Sequence, residues 1–114
     1  MSRNSIKMQI IGTPIKIQKG NLVFINRHFR QVIKLDYEDA AKLYINPDSL
    51  LVCSGHVKPT KKFETLKLIN IYDGRVILPS EWLQQHQLQP KNYIFQFLTS
   101  EGVLILPKQQ KCIF

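Results

Sequence analysis

Between residues 6 and 18 the chain reads IKMQIIGTPIKIQ, with isoleucine recurring at alternate places, and this predicts a strand over 7–18. Lys19-Gly20 supplies a turn, and NLVFIN continues as a second strand. QVIKL reads as a short third strand. DYEDAAKLYI has an acidic start and two alanines, and reads as about two turns of helix. Asp36 is its expected N-cap, with Glu38 and Asp39 facing the positive end of the helix dipole. Asn46-Pro47 would end it, because a residue before proline is pushed out of the α region. SLLVCS is a strand and GHVKPTKK a polar loop. The grammar then repeats. TLKLINIY is a strand, Asp73-Gly74 a turn, RVIL a strand, and PSEWLQQHQL a helix with Pro79 in its first turn. Gln89-Pro90 stops that helix. NYIFQFL and VLILP form a hairpin around Ser100-Glu101-Gly102, its last strand over 102–107.

Sliding the chain by 43 residues sets Ile33 on Val76, Leu35 on Leu78, Glu38 on Glu81, Pro47 on Pro90 and Val52 on Phe95. Identities are few. The shared apolar register, helix position and helix-stopping proline predict two ββαβ units, near 21–55 and 64–98, within one domain of 1–114. One such unit cannot bury both faces of its strands, whereas two can close on each other. The expected fold is therefore mainly β: a small pseudo-twofold barrel with two short helices.

Composition narrows the class. The 114 residues suffice for one core without disulfides, and 44% hydrophobic content is too high for a disordered chain. No apolar run approaches the roughly 18 residues of a membrane span, and MSRNSIKMQIIGTP has no long apolar stretch, so neither a membrane partner nor a signal peptide is expected. Cys53 and Cys112 are far apart and suit a reducing cytoplasm. The net charge of +8 is uneven: Arg3, Lys7, Lys16, Lys19, Arg27, Arg30 and Lys34 precede the first acid, and Lys58, Lys61, Lys62, Lys67 and Arg75 form a second basic stretch. Such clusters suit a polyanion such as nucleic acid; the other readings are a merely solvated basic surface, an anionic membrane or an acidic protein.

Gly74-Arg75, the strand Val76-Ile77-Leu78, Pro79, the helix ending at Leu88, Pro90 and the hairpin NYIFQF…GVLILP resemble the AbrB/SpoVT-type, or swapped-hairpin, DNA-binding family over roughly 64–108. Lys91-Asn92 departs from that family's usual Gly-Asp. VIKLDYEDAAKLYINPDSLLV is similar instead to the repeats of double-psi β-barrels, such as the N-terminal domains of valosin-containing-type AAA ATPases. Both belong to the cradle-loop barrels. The resemblance implies contact with double-stranded DNA by basic residues on and beside the turn joining the first two strands. Carried over by position, these are Arg75 and, on the preceding strand, Lys67, with Arg27 and Arg30 of NRHFRQ in the first unit. Two such loops about a pseudo-twofold would straddle a groove, and arginine's planar fork suits phosphates and guanine edges. Arg75 reads equally as a solvated turn residue beside Asp73.

Lys58, Lys61 and Lys62 either add sequence-independent phosphate attraction or belong to a solvated linker. His28, His56 and His86 have no neighbour at a zinc-ligand spacing, so no metal or cofactor is expected. No nucleophile motif or carboxylate pair marks an enzyme. The reading is a small DNA-binding protein of the transcriptional-regulator kind, closed within one chain or dimerised by strand exchange. The alternative is a protein-interaction module of double-psi type, favoured if the basic residues scatter and an apolar surface is open.

Overall fold

A two-stranded ribbon with Val23 facing Val76 covers one side of the core in the computed structural model, which describes residues 9–35, 40–55, 57–60, 62–71, 73–108 and 111–113. In chain order the elements are β1 (Gln9–Ile11), β2 (Thr13–Lys16), β3 (Leu22–Phe24), α1 (Arg27–Val32), β4 (Ala40–Asn46) and β5 (Ser49–Ser54). There follow β6 (Thr65–Asn70), β7 (Arg75–Ile77), α2 (Ser80–Gln85), β8 (Tyr93–Leu98), β9 (Val103–Leu106) and β10 (Lys111–Ile113). The fold is thus mainly β with two short helices. Among the described residues no helix is long and apolar enough to cross a membrane.

Six strands form one antiparallel sheet in the order β2-β8-β9-β5-β4-β6, β3 pairs with β7 as the ribbon, and β1 pairs with β10. The six-strand order reads the same after exchanging β2 with β6, β4 with β8 and β5 with β9. Equivalent positions lie 53 residues apart: 76 less 23 for the ribbon pair Val23 and Val76, and 104 less 51 for Leu51 and Leu104 in the β5–β9 ladder. The same step relates the left-handed residues Lys34 (φ 58°) and Gln87 (φ 57°) that follow the helices. It also relates Leu35 N–H donating to Arg30 O and Leu88 N–H donating to Leu83 O, both 2.8 Å. It exchanges Ile25 N–H to Gly74 O with Leu78 N–H to Asn21 O, again both 2.8 Å. The edge strands are offset by one residue more, since Pro14 faces Phe95 while Leu68 faces Lys42.

The repeat therefore runs at 53 residues, not 43, and the correction lies in the first unit. Residues 40–46 form a strand, not a helix. Ala41 and Leu43 are fully buried while Lys42 and Tyr44 are half-buried, the period of a strand, and β4 is paired on both edges. Helix propensity favours alanine by only tenths of a kcal/mol, roughly, and two ladders outweigh it. Pro47 is not a helix stop but sits in the two-residue connection between the paired Asn46 and Ser49. The helix of the first unit instead occupies NRHFRQV, and Gln31-Val32 of the expected QVIKL strand belong to it. Asn26 is its N-cap, its side chain accepting from Phe29 N–H at 3.2 Å. The expected cap and first turn at Asp36, Glu38 and Asp39, and residues 7 and 8 of the first strand, lie outside the described residues.

The core lies between ribbon and sheet. Val23, Ile25, Val76 and Leu78 pack with Leu43, Leu50, Val52, Ile94, Val103 and Ile105, all at most 2% exposed. Each helix begins straight after a ribbon strand, so the ribbon fixes where the helices lie. Trp82 of α2 is buried and its Nε1 donates to Asn46 O at 3.1 Å, while Gln85 Nε2 donates to Pro47 O at 3.4 Å. His86 Nε2 also meets Pro47 O. The second unit's helix is thereby clamped to the first unit's hairpin turn.

Candidate nucleic-acid interface

The β3–β7 ribbon turns one face to the core and one to solvent. Val23 and Val76 point in, and Phe24, Arg75 and Ile77 are exposed. The tight turn before β7 needs left-handed backbone at Asp73 (φ 51°) and Gly74 (φ 77°). That turn delivers Arg75 to the first position of the strand, opposite Phe24. The Arg75 guanidinium carbon lies 5.2 Å from the Phe24 ring centroid, a cation–π contact that holds the side chain over the ribbon.

Arg30 reaches the same turn from α1. Its Nε donates to Ile25 O at 3.1 Å, and its guanidinium lies on Gly74 so closely that a Cβ there would stand 2.5 Å from Cζ. Glycine at 74 thus serves two ends, a left-handed φ and room for Arg30. Arg27 lies one turn earlier on the same face of α1 and is exposed. Arg30 therefore reaches the turn that carries Arg75, and Arg27 lies one helical turn from Arg30; Arg30 is half-buried and the other two are open to solvent.

Two basic loops related by the pseudo-twofold are not what the structure shows. A step of 53 from Arg27 and Arg30 reaches Ser80 and Leu83, and Arg75 corresponds to Leu22. The turn equivalent to Asp73-Gly74 is Gly20 (φ 85°) with Asn21 (φ 60°), beside Lys19. The backbone is symmetric but the charge is not, and the arginines form one corner.

The other candidates lie elsewhere. Lys58 and Lys62 are exposed in the segment joining the units, which is tied to the hairpin tips: Thr60 N–H donates to Glu101 Oε2 at 2.7 Å, and Asn46 bonds the backbone of Lys62 and Glu64. Phe63 packs on Tyr44, 5.5 Å between ring centroids. Tyr44 faces Leu51 on the side of the sheet turned away from the core residues Leu43 and Leu50. No described contact joins this segment to the arginine corner. Lys67 is exposed on β6 at the sheet edge. Lys61 lies outside the described residues, as do Arg3, Lys7 and His56. Sequence reasoning missed Phe24. Its signal was the match of GNLVFIN to DGRVILP at a step near 53, which pairs the two strands. No protein-family model, no curated protein and no solved structure matches this chain.

Proposed function

We propose that this protein binds double-stranded DNA through the Arg27–Arg30–Arg75 corner and acts as a small transcriptional regulator of the AbrB-like, cradle-loop kind. In this reading the six-stranded sheet and the ribbon are the two walls of a pseudo-twofold barrel built from one chain. The observation that carries it is that Arg30 packs on the turn that presents exposed Arg75, with exposed Arg27 one helical turn away. Arg75 is pre-oriented by Phe24 and Arg27 is open to solvent, so both would contact phosphates or guanine edges. Arg30 adds charge and fixes the turn. Ile77 and Phe24 give the same face an apolar component that suits thymine methyl groups. The net charge of +8 steers the chain to a polyanion.

Anisotropy of a labelled random duplex across a salt series tests this. The expected result is binding at micromolar affinity or tighter at low salt, with a log–log slope of several released counterions, roughly 0.9 per phosphate contacted. No binding at low salt refutes the proposal.

A further inference from the structure

We propose that the outer edge of β6 docks an extended segment of a partner protein, apolar at alternate positions and acidic between them. This is a separate surface from the arginine corner. Among the described residues β6 is paired with β4 alone, so its far edge is open for strand addition. Leu66 and Leu68 stand on one side of it, 49% and 72% exposed. Single exposed leucines are ordinary, but two on one side of an open edge strand give an apolar strip on which alternate side chains of an added strand would pack.

The fold contains its own control. β2 is the equivalent strand at the opposite edge, and where β6 has Leu68, β2 has Pro14. Proline removes a backbone donor and blocks an edge against pairing. Where β6 has Leu66, β2 is preceded by the buried Gly12, against Phe97. Among the described residues one edge is guarded and the other is open and apolar.

Charge selects the occupant. Between Thr65 and Asn70 the one charged residue is Lys67, exposed, and half-buried Lys42 faces Leu68 across the ladder. Exposed Glu64 and Asp73 lie before and after the strand, not on it. An incoming strand with an acid opposite Lys67 is matched. A second copy of this chain is not: the register setting Leu66 against Leu68 also sets Lys67 against Lys67, and each copy brings +8.

The test is titration of the 15N-labelled full chain with a capped peptide of alternating valine and glutamate, about seven residues long. A valine–lysine peptide is titrated in parallel, and ultracentrifugation reports self-association. The expected result is saturable shifts of the β6 amides with the glutamate peptide, and binding of the lysine peptide about tenfold weaker or less. Leu68→Pro, which copies Pro14, abolishes the shifts. Lys67→Glu, at an exposed site that leaves the core alone, reverses the preference between peptides. Arg75→Ala changes none of this, so failure of the DNA reading is separately visible. Absence of saturable shifts at β6 overturns the proposal, as does binding indifferent to Lys67→Glu. Dimers that protect the β6 amides overturn it in favour of a second copy.

Discussion

Gln96 is fully buried, and its two amide atoms are both in use: Oε1 accepts from Asn26 N–H at 3.0 Å and Nε2 donates to Phe24 O at 2.8 Å. The equivalent pair in the other unit is Leu43 and Pro79. Proline has no N–H to satisfy, and the facing residue is apolar. Gln96→Leu leaves the part-buried Asn26 N–H and Phe24 O without this partner, and urea unfolding should show a loss of about 1 kcal/mol or more. Asn26→Pro removes the same donor, so in a double-mutant cycle the two changes should cost less together than their sum. At Cys53, burial first and Glu101 second raise the thiol from 9.0 to about 11, with Lys42 opposing. The folded state therefore holds the neutral thiol while the unfolded chain ionises. This contribution is fully present below pH 9.0 and is lost as pH rises toward about 11. In folded protein at pH 8, Cys53 should resist a disulfide reagent, and it should react on unfolding. Gly74→Ala should lose about 1 kcal/mol or more, because φ is left-handed and Arg30 occupies the space.

The elements show where sequence reasoning holds and where it fails. Much of the second unit was legible: the Asp73-Gly74 turn, the strand after it and the closing hairpin stand where their signals place them, while the helix over 80–85 ends before left-handed Gln87 and not at Gln89-Pro90. There propensity and packing agree. In the first unit they conflict. DYEDAAKLYI carries helical propensity, but Ala41 and Leu43 bury on one face between two neighbouring strands. NRHFRQV carries two arginines and a histidine, yet the capping Asn26 and the place after a ribbon strand make it helical. That one exchange displaced the repeat by ten residues and put the arginines on a loop. Arg75 was legible from its turn. The approach of Arg30 to that turn was not, since only the pairing of β3 with β7 brings α1 to Gly74. At this scale the clamp of α2 on the β4–β5 turn is testable. Trp82→Ala should cost about 3–5 kcal/mol in denaturant unfolding, for a large buried ring and a hydrogen bond to Asn46 lost together.

Across the whole molecule, symmetry of backbone coexists with asymmetry of chemistry. The twofold-related halves give one corner three arginines and the other Leu22, Ser80 and Leu83. They give one sheet edge a proline and the other two exposed leucines. The two halves differ most at the ribbon's basic end and, among the described residues, at the β6 edge. The charge of the joining segment belongs to neither. Lys58 and Lys62 flank a run tied to the hairpin tips, so their removal should leave the proposed duplex binding at the ribbon intact. The most direct test of the account is therefore one comparison: the salt dependence of duplex binding for Arg27→Ala/Arg75→Ala against Lys58→Ala/Lys62→Ala. The account predicts that the arginine pair lowers the log–log slope by about 2, with a matching loss of affinity, while the lysine pair leaves both near wild type. Equal losses from the two pairs, or a loss from the lysine pair alone, would contradict it.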